Sequence, residues 1–277
     1  MASAQPLRVM TFNVRQMDGD DGAQAWEHRR ELLAETIRLH QPSLLGTQEI
    51  FAEQAAFLLD RIPEFDCFGR GRFGDESDKH NKIFFDRRSF SLVDNGEAWF
   101  SKTPSIPGSS DWDIPRPRMV TWGRLHPAAG PDILMLNTHL PYGRNAGEAR
   151  RQSALVLLQT IAMLPPDLPL FLTADFNAPA DGEVHDLLTA TLDDAWKTAD
   201  EISGPEGTLH GFGRIENGRR IDWILHRNAG QTLEAETVTH TAGGLYPSDH
   251  FPVSATFLLP LEQEESVQDL HEAFPLR

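Results

Sequence analysis

Residues 168–177 read LPLFLTADFN, an apolar run that stops on Asp175 and closes with Asn177. Its length and its apolar, aromatic content are strand signals. If the strand runs on through Asn177, the i, i+2 spacing turns both polar side chains to one face, a geometry for gripping one ligand. The same phrase recurs along the chain. LRVMTFNV (7–14) carries Asn13, SLLGTQEI (43–50) carries Glu49, and DILMLNTHL (132–140) carries Asn137 and His139. RIDWILH (220–226) encloses Asp222, and FPVSATFLL (251–259) follows directly on Asp249-His250. KIFF (82–85) and MVTWGRL (119–125) have the same apolar character.

Helical periodicity lies between some of these runs. Trp26, Arg29, Leu33, Ile37 and His40 recur at three and four, and 148–164 shows a wide apolar stripe beside charged positions. Strands alternating with helices first, and strands in series later, predict an α/β (α+β) protein of mixed sheets covered by helices. The Pro/Gly/Ser-rich piece 102–118 suits a linker by composition, or a structured loop over a site, because it holds Trp112 and two arginines and runs straight into a strand. Residues 1–260 read as one domain and 261–277 as an acidic tail.

Composition narrows the function classes. With 277 residues, 40% of them apolar, the chain can bury a large core. A net charge of -16 gives a surface that repels polyanions on average, which argues against sequence-blind coating of nucleic acid. Cys67 is the single cysteine, so a disulfide framework and a cysteine-based zinc finger are excluded. The start MASAQPLRVM lacks a basic segment followed by an apolar one, and no run approaches the roughly 18 apolar residues of a membrane span. A cytoplasmic protein with no membrane partner is the expectation.

Taken singly, acids and amides at strand ends are turn formers or helix caps, and Glu49 alone reads as a dipole partner of the following helix. Asp222 inside an apolar run is different, since a buried acid needs a histidine or arginine beside it. Oxygen donors with one amide and no cysteine suit Mg²⁺ or Mn²⁺ rather than zinc. Histidines beside carboxylates suit contact with a phosphate oxygen or proton transfer. Together the set reads as metal-assisted phosphoester hydrolysis.

In this order TFNVR, GTQE, NTHL, TADFNA, RIDWIL and SDHFPV resemble the motifs of the endonuclease/exonuclease/phosphatase superfamily, over about residues 7–259. GEAWFSKTPSIPGSSDWD, PRMVTW and GTLHGF resemble more closely a bacterial branch of it. The resemblance implies a four-layer sandwich, two mixed β-sheets packed face to face with helices outside. It implies Glu49 as principal metal ligand with Asn13 and Asp249 beside it, and Asp175 on the attacking water. Asn177 would hold phosphate or metal, His250 would touch the scissile phosphate with Asp222 behind it, and His139 would approach from the other side. Relatives usually support that second histidine with a glutamate, where this chain offers Lys79 or, three residues earlier, Glu76. Arg118, Thr208 and His210 are the candidate substrate-binding residues, and Trp112 and Trp122 are either base-stacking or core aromatics. The activity implied is a Mg²⁺/Mn²⁺-dependent phosphoesterase on a small phosphorylated or nucleotide-like substrate. A nuclease on DNA or RNA and an inactive phosphate- or protein-binding module stay open as alternatives, and oligomeric state is not legible.

Overall fold

The computed structural model describes residues 6–216 and 218–259; the acidic stretch 261–277 lies outside them. In chain order the strands are β1 (Pro6–Asn13), β2 (Leu44–Gln48), β3 (Phe65–Phe68), β4 (Ile83–Asp86), β5 (Phe90–Trp99), β6 (Met119–Pro127) and β7 (Ile133–His139). They continue with β8 (Leu170–Asp175), β9 (Asp193–Asp194), β10 (Glu201–Ser203), β11 (Asp222–Arg227), β12 (Gln231–Thr237) and β13 (Val253–Leu258). The helices are α1 (Trp26–His40), α2 (Ala52–Arg61), α3 (Gly147–Ala162), α4 (Glu183–Thr189) and α5 (Ala195–Thr198).

Seven strands form one sheet in the order β10-β12-β13-β1-β2-β4-β3, and six form the other in the order β5-β6-β7-β8-β11-β9. Both are mixed: β1/β2, β7/β8 and β10/β12 run parallel, while the remaining pairs are antiparallel. Alternation along the strands builds the layers. In β8, Leu170, Leu172 and Ala174 pack with Leu157, Ile161 and Leu188 of α3 and α4, while Phe171 points the other way. Phe171 meets Phe257 of the opposite sheet at 4.9 Å between ring centres, in a core shared with Val9, Leu44 and Ile224. Met10, Phe12 and Leu45 face outward onto Leu33, Ile37, Ala55 and Leu58 of α1 and α2. The result is helix, sheet, sheet, helix: the four-layer sandwich expected.

A polar layer crosses the two sheets just under one edge of this core. Gln48 donates to Asn137 Oδ1 at 2.7 Å and to Thr11 Oγ1 at 3.1 Å, and Asn137 Nδ2 donates to the Thr47 and Lys82 carbonyls. Gly46 is required here, since a Cβ would run into Thr173 Oγ1 and the Asn137 side chain. Asn137 therefore belongs to sheet-to-sheet attachment. Arg29, fully buried, donates to the carbonyls of Gln24, Val14, Pro247, Arg15 and Gln16, and so ties the end of β1 to the 246–250 segment. Burial holds its pKa down to about 10.

The stretch 102–118 is no linker. Trp99 N reaches the Pro104 carbonyl, Lys102 N reaches Asp111, and the Ser101 and Ser109 hydroxyls lie 2.7 Å apart, so the segment folds on itself. Trp112 and Trp122 pack against the α3/α4 core, the second of the two expectations for them. Among the described residues no helix is long and apolar enough to cross a membrane.

Candidate active site

The strands that end in polar residues end together. Pairing places His139 opposite Asp175, and Asp175 opposite Asp222, on a single rung across β7, β8 and β11. Cross-strand partners share a face, so the three side chains project from one side of the sheet. Asp222 accepts from His250 Nδ1 at 2.8 Å, and His250 Nε2 lies 3.9 Å from Asp175 Oδ2. The loop before β13 is stitched to residues 208–211 by Phe251 N to the Thr208 carbonyl and by His210 N and Gly211 N to the Asp249 carbonyl. Burial alone would keep His250 neutral. The charge and hydrogen bond of Asp222, with Asp175 and Asp249 beside it, overcome that and raise its pKa well above the usual imidazole value. Burial and then the neighbouring Asp222 push Asp175 up to about 7.

β8 stops at Asp175, so the i, i+2 expectation for Asn177 does not hold. The chain turns through Asn177 at φ 48°, in the left-handed region, where an amide side chain is better tolerated than most. Asn177 still reaches the site by this turn. Its Nδ2 donates to the Leu140 carbonyl at 3.1 Å and to His139 Nε2 at 2.8 Å, which leaves the His139 proton on Nδ1. Burial, then Arg118, Arg72 and Lys79, depress the His139 pKa well below its ordinary value, so the ring is neutral. Glu76 does not support it: that carboxylate is largely exposed, bonded to His80 at 2.8 Å. Lys79 instead sits 3.3 Å from Glu49. The Nδ1 of His139 has no hydrogen-bond partner among the described residues, and the carboxylate near the ring is Asp175, whose Oδ2 lies 3.3 Å from Nε2.

Glu49 follows β2 at φ 62°, a strained conformation for a glutamate, and it caps nothing: the first free N–H of α2 is taken by Gln54 at 3.0 Å. Burial raises its pKa, but Lys79, Arg72, His250 and Arg118 outweigh that and hold it ionised. Asn13 is fixed by donating to Asp175 Oδ2 at 2.9 Å and accepting from Arg15 N at 3.0 Å. Ser248 donates to the Asn13 carbonyl at 2.6 Å, and Arg15 lies 3.7 Å from Asp249 while gripping Asp21. Glu49, Asn13 and Asp249 make an all-oxygen donor set with two carboxylates, which fits a hard divalent cation. Asp175, Asp222 and His250 also bring ligand atoms within 4.8 Å of one another. A protonated imidazole hydrogen-bonded to its acid is a poor metal ligand, so that trio is better read as a proton-holding group.

The three candidate substrate residues divide. Arg118 is buried beside His139, donating to its carbonyl at 3.3 Å, with its pKa pushed down to about 9 by burial and by Arg72. Thr208 is fully buried, and its hydroxyl donates to Asp222 at 2.5 Å and accepts from the Ile221 and Asp222 N–H groups. It fixes Asp222, a correction to the expectation that it touches substrate. His210 stacks on Phe251 at 3.9 Å between ring centres and accepts from Gly213 N, and burial holds its pKa down to about 4. Arg72 was not anticipated, since it sits in a charged, Gly-rich loop without periodicity, whereas Arg15 had a signal as the last residue of the TFNVR motif. Ser248 had a signal, lying inside the SDHFPV motif.

The sequence profile of the Endonuclease/Exonuclease/phosphatase family matches residues 10–250. No match is found among curated proteins. An endonuclease/exonuclease/phosphatase from Bacteroides vulgatus is 28% identical with a TM-score of 0.87, covering 92% of this chain and 100% of that one. A mannosyl-6-phosphatase from Bacteroides thetaiotaomicron is 29% identical with a TM-score of 0.86, covering 91% and 100%. The catalytic domain of human Nocturnin, bound to sulfate, is 21% identical with a TM-score of 0.72, covering 92% and 94%, and shares the fold. Because the profile runs from within β1 to His250 and spans every strand end described above, the chain belongs to the Endonuclease/Exonuclease/phosphatase family of hydrolases.

Proposed function

We propose that this protein is a Mg²⁺- or Mn²⁺-dependent phosphoester hydrolase acting on a small phosphorylated substrate, with residues 1–260 as its catalytic domain. The observation that carries the reading is the rung of His139, Asp175 and Asp222 closed by His250, in which one carboxylate is held near pH 7 beside an imidazolium.

Glu49, Asn13 and Asp249 are the residues that would hold the cation, which supplies charge neutralisation at the phosphoryl oxygens. Asp175 accepts the proton of the attacking water; a base with a pKa of about 7 is matched to that task at neutral pH. As the P–O ester bond breaks, negative charge grows on the nonbridging oxygens and on the leaving oxygen. His250 donates from Nε2 to a nonbridging oxygen, its charge maintained by Asp222, which Thr208 holds in place. Asn177 holds neutral His139 through Nε2, and the Nδ1–H of that ring is the donor left for the phosphoryl group.

The acidic surface favours a small substrate over a long nucleic acid, and the mannosyl-6-phosphatase similarity favours a phosphorylated sugar or a comparably small ester. The test is turnover of p-nitrophenyl phosphate, mannose 6-phosphate, bis-p-nitrophenyl phosphate and a short single-stranded RNA with Mg²⁺ or Mn²⁺. Chelation should abolish turnover, and Asp175→Asn should lower it by about 10²–10⁴-fold without loss of folding. Near wild-type rates in that variant would refute the role of Asp175, and preferred cleavage of RNA would favour the nuclease reading.

A further inference from the structure

Four arginines are almost wholly buried: Arg29, Arg72, Arg220 and Arg118, at 0%, 2%, 6% and 9% exposure. A buried guanidinium carries five N–H donors and a charge, and each needs a partner. Arg29 directs its donors to backbone carbonyls, and Arg220 clasps Asp194 with two bonds of 3.1 and 2.7 Å. Arg72 and Arg118 are different. Nε and Nη2 of Arg72 have no hydrogen-bond partner among the described residues, and Arg118 makes one long bond, to the His139 carbonyl. Glu49 and Asp78, whose charges act on both, pair with Lys79 at 3.3 Å and Arg116 at 3.7 Å; Asp78 Oδ2 accepts no hydrogen bond, and among the described residues no carboxylate comes within 4.0 Å of Arg72 or Arg118.

The backbone holds these two cations in place. Arg72 N donates to the Lys79 carbonyl at 3.1 Å, its own carbonyl accepts from Trp99 Nε1 at 2.6 Å, and Lys79 reaches across to Glu49. Arg118 stands at the entry to β6 with its guanidinium against His139. The charges of both act on Glu49 and on His139, and the charge of Arg72 depresses the pKa of Arg118. Two neighbouring cations with unused donors, under no ion pair, match an anion that brings two negative charges and several oxygens. A phosphomonoester has close to two negative charges at neutral pH and three terminal oxygens. A diester has one charge and a second substituent where the additional donors would lie.

We propose that Arg72 and Arg118 form the receptor for the terminal phosphoryl group of a phosphomonoester dianion, so that the enzyme takes monoesters in preference to diesters. This rests on the catalytic reading of the same site. It also assigns Arg72 a binding role that the motif set does not contain.

The test combines binding and stability with kinetics, so that it stands even if no hydrolysis is found. Inorganic phosphate and dimethyl phosphate are titrated by calorimetry into the wild type, Arg72→Met and Arg118→Met, each with Mg²⁺ present. Phosphate should bind the wild type, bind each variant at least about tenfold more weakly, and outcompete dimethyl phosphate. In phosphate-free buffer Arg72→Met should melt at or above the wild-type temperature, because an unpaired buried charge has been removed; a purely structural arginine would give a fall. Arg72→Lys, which keeps the charge but loses the fork, should bind with intermediate strength. If hydrolysis is observed, the ratio of kcat/KM for p-nitrophenyl phosphate over bis-p-nitrophenyl phosphate should drop at least about thirtyfold in Arg72→Met. Equal phosphate affinity in wild type and Arg72→Met, or dimethyl phosphate binding as tightly as phosphate, would overturn the proposal. Absence of turnover with phosphate binding intact would count against the catalytic reading alone.

Discussion

Among the described residues two buried histidines are hydrogen-bonded to a buried aspartate, and only one of these pairs is in the candidate site. Asp222 holds His250 at 2.8 Å and Asp194 holds His185 at 2.9 Å, with all four residues nearly inaccessible. Asp194 is saturated: Arg220 donates twice to it, His185 once, and Trp196 N a fourth time at the start of α5. His185 stands edge-on against Trp223 in the α3/α4 core. Asp222 has one oxygen crowded by Thr208 and His250 and the other without a partner, and His250 turns its second nitrogen toward Asp175. Burial and pairing are common to both. Both also keep unpartnered atoms, His185 Nδ1 and Arg220 Nε in one and Asp222 Oδ1 in the other. What separates them is that His250 faces a further carboxylate, Asp175, where His185 faces Trp223, and clustered titratable groups are the signature of a functional site.

The sharpest way to break this comparison is a double-mutant cycle. Asp222→Asn and His250→Gln should each lower kcat/KM by about 10²–10³-fold, and the double variant should be little worse than either, because the two act through one phosphate contact. Additive losses would separate them and remove the reason for treating Asp222 as the holder of His250. The same experiment on the other pair should read out in stability instead. Asp194→Ala strands the buried Arg220 charge, so denaturant titration should show a loss of about 3–5 kcal/mol, with turnover per folded molecule changed only a few-fold. A collapse of turnover at unchanged stability would place Asp194 in the catalytic machinery and erase the distinction.

The difference between the pairs was half legible in the sequence. The runs that predict β1, β2, β4, β6, β7, β8, β11 and β13 all form strands, because continuous apolar runs fit only a sheet covered on both faces. Asp222 stands out within one of them, and its need for a histidine was met by His250. Asp194 raised no such signal in TLDDAWK, where two adjacent acids read as surface, and only the fold brings Arg220 to it. β5 and β12 were missed for local reasons. β5 is an edge strand with Asp94-Asn95-Gly96 at its exposed centre and a register shift beside it, and β12 reads QTLEAET, whose Leu, Glu and Ala favour a helix. Arg72 was beyond sequence reading because nothing in GRGRFGDESD distinguishes one buried guanidinium from its solvated neighbours.

The smallest expected effect concerns pH in the chelated, metal-free protein. The pKa of His250 is raised in the folded state, so its contribution to stability is complete below the unfolded value of about 6.5 and is lost as pH rises toward the folded one. Asp175 is also raised and loses its proton through about pH 7, so its share of the slope fades over the following pH unit. Asp194 has the opposite sign: burial raises its pKa, the bonds from Arg220 more than reverse this, and its contribution is lost only as pH falls below about 3.9. Above about pH 8 the slope therefore belongs to the His250 pair. Asp222→Asn should flatten that slope, while Asp194→Asn, though less stable throughout, should keep it. Parallel curves for wild type and Asp222→Asn would mean that His250 is neutral without metal, and its charge would then have to come from the substrate complex instead of from Asp222.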